Sequence, residues 1–496
     1  MSAFSVFRRT WRADFTASIV VFLVALPLCV GVAVASGVPA ELGLVTGIVG
    51  GLVVGLLPGS SLQVSGPAAG LTVLVFEAVR QFGLAALGVI VFAAGLLQIL
   101  LGVLRFGRWF RAISPAVVEG MLAGIGLVLI AGQLYTMAGA AAPASGVGKL
   151  AGLPGLAGQI VGSATALTAF AIGAGTILLM VLWPRLPGKV RLVPGALVAV
   201  ALATVVSALA DLPVQRIEVR GLLGSIDLTT PGELARLGDI ALLGTVLAFV
   251  LIASAESLFS AAAVDRMHDG PRTDYDRELV AQGVGNSVCG FLGALPMTAV
   301  IVRSSANVEA GARTKASRVL HGVWLLLFAA LLPAAVGVIP LAALAGVLVH
   351  AGFKLLPLRK LVPLWRRHRG EAVILVVTAL AIVGLNMFEG VLIGIALAVV
   401  KVAWEASHVK VTVRDTGSGP IQVRLSGNAT FLRLPVILET LEALPQGRSV
   451  ELDLTDVRHL DHAVRSALTA WTQQHKDAAG DAEAVPEIRV IGASAD

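Results

Sequence analysis

Fourteen predominantly apolar segments follow one another through the first four-fifths of the chain, beginning near residues 14, 39, 65, 84, 115, 165, 193, 239, 278, 298, 319, 341, 371 and 387. Most approach the roughly 20 residues that a helix needs to cross the hydrocarbon core of a bilayer. The segments at 65 and 298 are short and interrupted by polar residues, Gly and Pro. The last two are separated only by Asn386 to Gly390. Past Glu405 the pattern changes. Val409–Val413, Ile421–Leu425, Val450–Leu454 and Ile488–Ile491 have the β-branched and aliphatic character of short strands, and Phe431–Leu444 and Ala463–His475 have helical spacing. The pattern predicts a transmembrane domain over residues 1–405 and a small α/β domain over 406–496.

Composition agrees with a polytopic membrane protein. Hydrophobic residues make up 56% of the chain and mean hydropathy is +0.88. Charged residues make up only 14%, against about 25% in soluble domains. The formal charge of +6 does not point to nucleic acid, because the basic residues gather in short loops: Arg8–Arg12, Arg105–Arg111, Arg185–Arg191, Arg266–Arg277, Arg313–Arg318 and Arg359–Arg369. With fourteen spans these clusters all fall on one side, that of the N-terminus. The positive-inside rule then places both termini in the cytoplasm, with the α/β domain beside them. The first apolar run is too long for a signal-peptide core and is read as a retained span.

The membrane part divides into two comparable blocks, about 14–210 and 239–405, each opening with an Asp (Asp14, Asp239) ahead of a long apolar helix. Two spans later each block has its broken segment: Ser61 to Gly70, containing Ser65-Gly66-Pro67, and Leu295 to Gly311, containing Arg303-Ser304-Ser305-Ala306-Asn307. Interrupted segments at matching positions of two halves point to a transporter's binding site. With seven spans per half, the two repeats have opposite topology. Pro67 suits a first helical turn, and Gly66 lets backbone approach a ligand closely. Helices starting near Pro67 and Arg303 would aim their N-terminal N–H groups at mid-membrane, and the Arg303 guanidinium would add a full charge for a small anion.

Glu256 is the second charge out of place, deep in the span that starts at 239. Pairing with Arg303, carrying a proton and helping to bind a cation are all open to it. Cys29 and Cys289 read as small buried apolar residues, and His321 and His350 as structural. No metal cluster, nucleotide loop or nucleophile–base set appears, so no cofactor is expected and an enzyme is excluded.

At these residues the chain resembles the SulP/SLC26 family of anion transporters. The likeness rests on Asp14 and Leu26-Pro27, on Ser65-Gly66-Pro67, on Glu256-Ser257-Leu258, on Arg303 to Asn307, and on a tail similar to a STAS domain. Residues Ala263 to Leu279 also resemble bacterial members fused to carbonic anhydrase, although no Cys/His set for that enzyme's zinc is read in this sequence. The resemblance implies fourteen spans in a seven-plus-seven inverted repeat, with core and gate domains, broken spans 3 and 10, and a homodimer. It maps the anion site to Ala68, Ala69, Val302 and Arg303, closed by Leu28 and Val32. It places a coupling carboxylate at Glu256 and a hydroxyl at Ser260. Val300, Ile301 and Arg303 depart from the small neutral residues of sodium-coupled bicarbonate members, which favours proton coupling or anion exchange. In the tail, residues 453–462 resemble a regulatory loop, with His462 where related domains carry a phosphorylatable Ser.

The expected function is therefore secondary transport of a small inorganic oxyanion (sulfate or bicarbonate, or a chloride-like anion) across the cytoplasmic membrane by alternating access, either coupled to a proton as co-substrate or by anion exchange. A nucleobase permease of the same fold is the rival, but it should carry a carboxylate where Arg303 lies. An anion channel is the third reading.

Overall fold

Each of the fourteen apolar segments contains a helix, and polar residues at the segment edges set several of the starts. Ser114, Ser163, Asp239 and Asp274 each accept a backbone N–H from the first turn of the helix that follows, which satisfies donors the helix cannot use itself. The computed structural model describes residues 3–110, 114–187, 193–217, 221–417, 419–445, 448–477 and 488–491. Arg111 and Arg191, the ends of two basic clusters, lie outside them. The chain divides into two compact units, Met1–Ile395 and Ala396–Asp496.

In the first half the principal helices are α1 (Ala3–Ala35), α2 (Ala40–Val49), α3 (Thr72–Phe82), α4 (Leu84–Val103), α5 (Pro115–Met137), α6 (Ala164–Leu182) and α7 (Gly195–Leu209). In the second they are α8 (Ile240–Val264), α9 (Tyr275–Phe291), α10 (Ile301–Glu309), α11 (Ala316–Leu331), α12 (Leu341–Leu355), α13 (Arg369–Gly384) and α14 (Met387–Ala406). Strand β1 (Ser65–Pro67) precedes α3, and β2 (Met297–Ala299) precedes α10. Among the described residues, seven helices are long and apolar enough to cross a membrane by themselves. By contrast α3, with 11 residues, and α10, with 9, are half-helices. At 1.5 Å per residue they reach only about half way across the hydrocarbon core.

One predicted boundary moves. The apolar run opens at Asp14, yet α1 begins at Ala3, and Asp14 lies inside the helix with no exposure. Its carboxylate accepts the backbone N–H groups of Arg313 and Thr314 and the Thr314 hydroxyl, at 2.7, 3.0 and 2.7 Å. Asp14 thus anchors the approach to α11, whereas Asp239 caps its own helix.

Several of the main helix contacts occur in matched pairs. α4 packs along α9 as α2 packs on α11; α1 meets α11 as α8 meets α4; α6 meets α12 as α13 meets α5; and α5 also packs directly on α12. Along the α4–α9 seam a Cβ on Gly95 would stand 2.3 Å from the Ser287 backbone nitrogen, so only glycine permits this approach. Outward-facing Leu167, Leu178 and Val181 on α6 form an apolar surface that suits lipid rather than water.

The second unit is a four-stranded sheet in the order β3 (Val409–Arg414), β4 (Ile421–Ala429), β5 (Val450–Leu460), β6 (Ile488–Ile491). The first pairing is antiparallel and the other two are parallel. Helices α15 (Leu434–Glu442) and α16 (His462–Asp477) bury Ile437, Leu441, Val464, Leu468 and Trp471 with the inward residues of β4 and β5. The stretch from Asp453, expected as a loop, continues β5 as far as Leu460, because Ser426 to Ala429 extend the β4 ladder beside it. His462 is the first residue of α16. Asp461 accepts the Val464 N–H at 2.8 Å and the Phe431 N–H at 2.5 Å, tying that helix start to the end of β4.

Candidate functional site

The two broken segments meet each other. β1 and β2 pair antiparallel, with Ser65 opposite Ala299, Gly66 opposite Thr298 and Pro67 opposite Met297. The ladder continues where the Val300 N–H donates to the Val64 carbonyl at 2.9 Å. Ser304 closes it from α10: its hydroxyl accepts the Val64 N–H at 2.9 Å and donates to the Val300 carbonyl at 2.8 Å. All six strand residues are buried. Backbone pairing satisfies peptide groups that hydrocarbon could not, which is why irregular chain is tolerated at this depth.

The antiparallel register sets how the two helix starts face each other. The two helix starts do not abut; they face the strand pair from opposite ends, separated by the length of three extended residues, on the order of 10 Å. At one end Ala69 and Gly70 precede the first helical bond of the turn leading into α3, Leu71 N–H to Ala68 carbonyl at 3.1 Å. At the other, Ile301, Val302 and Arg303 precede the first bond of α10, Ser304 N–H to Val300 carbonyl at 3.0 Å. The helices themselves therefore leave these N–H groups free to donate, and each helix start carries partial positive charge.

Arg303 links the two ends. From the first turn of α10 its side chain runs back along the strands, and Nη2 donates to the Pro67 carbonyl at 3.2 Å. Nη1 lies over Gly66, where a Cβ would stand 2.0 Å away, so the missing side chain of Gly66 makes room for the guanidinium. Arg303 has no solvent exposure, and its Nε and Nη1 donate to no acceptor among the described residues. Burying a cation costs several kcal/mol unless an opposite charge or a full set of hydrogen bonds offsets it. Among the described residues no carboxylate provides that charge: Glu256 does not form the ion pair with Arg303 that the sequence left open. Its carboxylate lies instead against Gly70, where a Cβ would stand 2.6 Å from both oxygens, and within hydrogen-bonding reach of Thr298 on β2. Glu256 thus approaches the crossing from α8, at the end where α3 begins.

The other anticipated residues surround this point to differing degrees. Ala68 is buried and Ala69 half-buried, while Val302 is 39% exposed at the start of α10. Leu28 and Val32 lie one turn apart on α1, the helix that packs on β1, α3 and α10. Ser260 is buried one turn beyond Glu256. Sequence reasoning missed two neighbours of Arg303. The fully buried Cys29 thiol lies against the guanidinium, and the fully buried His321 imidazole on α11 is close enough to feel its charge.

It also missed the polar scaffold that fixes the crossing. Glu278, Gln282 and Asn286 occupy one face of α9 at four-residue spacing. Glu278 accepts the Ser60 N–H at 2.7 Å and a Gln282 amide hydrogen at 2.8 Å, and Gln282 also donates to the Ser65 hydroxyl at 2.7 Å. Asn286 accepts the Met297 N–H at 2.7 Å and donates to the Met297 carbonyl and to Gln98. Asn307 donates to the Leu62 carbonyl at 2.8 Å. Arg318, almost fully buried, donates to the carbonyls of Gly55, Leu57 and Gln63. Every partner on the strand segments is backbone or a β1 side chain, so this scaffold holds position and does not compete for the Arg303 donors. The i, i+4, i+8 spacing of Glu278, Gln282 and Asn286 inside an apolar segment was the available signal.

A multi-pass membrane protein with two half-helices starting at paired strands, and a buried arginine laid across them, defines a transport protein rather than an enzyme. Comparison with known proteins gives the family. Residues 11–378 match the sulfate permease family, and the chain belongs to it. It is 30% identical to the putative sulfate transporter YvdB of Bacillus subtilis over 395 residues, 79% of this chain and 73% of that one. It is 29% identical to the bicarbonate transporter BicA of Picosynechococcus over 366 residues, 69% of this chain and 62% of the relative. The solved structure of SLC26A9 superimposes with a TM-score of 0.77 at 16% identity, covering 99% of this chain and 85% of that chain, a likeness of fold.

Proposed function

We propose that this protein carries a small inorganic oxyanion, sulfate or bicarbonate, across the cell membrane by alternating access, and that the β1–β2 crossing is its anion site. The observation that carries this reading is Arg303: a buried cation with two unclaimed donors, lying between two helix starts whose own N–H groups point at the strand pair. The backbone of Ala69 and Val302 and the guanidinium of Arg303 would hold the anion; Leu28 and Val32 would close over it. Relatives named for sulfate and for bicarbonate support the substrate class.

The matched helix contacts support a seven-plus-seven inverted repeat, since α4–α9, α1–α11 and α6–α12 exchange with α2–α11, α8–α4 and α13–α5 under a shift of seven helices. Fourteen spans, with α3 and α10 as broken members, follow from that reading. It also keeps the basic loops on one side and both termini in the cytoplasm. The strand order and two helices of the second unit support a STAS-like domain over residues 406–496 after a transporter domain over 1–405, and the family resemblance supports a homodimer. Uptake of labelled sulfate and bicarbonate by the purified chain in liposomes, with imposed pH and Na⁺ gradients, tests the function. Accumulation of neither anion under any gradient would reject it.

The position of Glu256 supports a coupling role. It lies against the start of α3 and within reach of the β2 hydroxyl Thr298, and it forms no ion pair among the described residues, so a proton there would alter the charge seen by the anion. Glu256→Gln, which fixes the neutral form, should flatten the pH dependence of uptake while changing anion affinity less than about threefold. An unaltered pH profile would count against coupling through this residue. The bulky Val300 and Ile301 and the nearby Arg303 disfavour a sodium site. Replacing external Na⁺ with choline should therefore leave uptake intact; loss of transport would show that Na⁺ is the coupling ion.

A further inference from the structure

A second arginine-lined site lies away from the crossing. A cavity of about 490 Å³ opens between the end of α4, the start of α9 and the turn at Leu57-Pro58. Arg105, Arg108 and Arg277 line it together with Asp274 and Asp276. Arg277 is engaged by Asp274 at 3.2 Å. Asp276 turns one carboxylate oxygen against Gly107, where a Cβ would stand 2.7 Å away. Arg105 and Arg108 have no carboxylate within ion-pair distance among the described residues. Two free guanidinium groups thus share one recess, and Arg is the side chain best matched to phosphate oxygens.

The backbone shows that Arg105 stands where another residue would suit the fold better. α4 ends in a Schellman turn, with the Phe106 N–H on the Leu101 carbonyl at 2.9 Å and the Arg105 N–H on the Gly102 carbonyl at 3.0 Å. Arg105 occupies the left-handed position of that turn at φ +63°, which ordinarily belongs to glycine. The chain therefore holds an arginine at this corner despite a conformational cost. Beside it Val103, Leu104 and Phe106 are 65, 57 and 43% exposed. An apolar surface next to arginines, at the end of a helix long enough to span, fits the boundary between acyl chains and headgroups.

We propose that this cavity binds a phosphate group, that of an anionic lipid headgroup, through Arg105 and Arg108, with Val103, Leu104 and Phe106 against the acyl chains. Thermal unfolding of the purified full chain in detergent supplemented with phosphatidylglycerol, phosphatidylcholine or soluble glycerol 3-phosphate tests it. Phosphatidylglycerol should raise the wild-type midpoint by several degrees over phosphatidylcholine, and glycerol 3-phosphate should not. In Arg105→Gly the helix cap improves, so its midpoint in phosphatidylcholine should match or exceed wild type, while the phosphatidylglycerol increment disappears. Arg108→Gln should lose the increment as well, and each change should weaken lipid binding about tenfold. Stabilisation by glycerol 3-phosphate would support the phosphate site and overturn the lipid assignment. An increment unchanged in both variants, or absent from wild type with either ligand, would overturn the proposal.

Discussion

Arg303→Ala should reduce anion uptake by liposomes containing the purified protein on the order of 100-fold at subsaturating substrate. The guanidinium offers Nε and Nη1 to a ligand, and two charge-assisted hydrogen bonds are each worth about 1.5–3 kcal/mol. The fold should survive, because the substitution removes the cost of desolvating a cation along with a single contact to the Pro67 carbonyl. An unchanged thermal midpoint with uptake lost is the expected pair of results. Wild-type uptake and affinity in this variant would remove Arg303 from the site.

Gly66→Ala should have an effect of the same kind through a different atom. The added methyl would stand 2.0 Å from Arg303 Nη1, and the end of that side chain yields more readily than the strand beneath it. The guanidinium should leave Pro67, and uptake should fall at least tenfold with little loss of stability. Because both substitutions act on one group, the double variant Gly66→Ala with Arg303→Ala should transport no worse than Arg303→Ala alone. Additive losses would mean that Gly66 acts independently, for example by bringing its own backbone against the anion.

Legibility of the sequence followed the physics of each region. The apolar segments gave the helices and most of their starts, because a bilayer forces hydrophobic length onto any helix that crosses it. The broken segments were visible as polar residues, Gly and Pro in the wrong surroundings. Their convergence followed from their matching positions, but the strand pairing between Ser65–Pro67 and Met297–Ala299 that joins them did not, since it links positions more than 200 residues apart. That pairing decided the site: it separates the two helix starts and makes the long Arg303 side chain the link between them. Glu256 was found as a misplaced charge, but its neighbours Gly70 and Thr298 could come only from coordinates. Cys29 and His321 were passed over because an isolated thiol or imidazole in an apolar run has no signal of its own. Asp14 was read as a helix boundary because its apolar neighbours begin there; its actual partners, Arg313 and Thr314, lie in the other half of the chain.

The anion site itself is most directly tested by an experimental structure of the protein saturated with whichever anion the uptake assay selects, selenate replacing sulfate if sulfate is that anion. Anion density should lie beside the β1–β2 pair, within hydrogen-bonding distance of the Arg303 guanidinium and of the backbone N–H of Ala69 or Val302. An anion bound elsewhere in the membrane unit, with Arg303 still donating only to Pro67, would contradict the account.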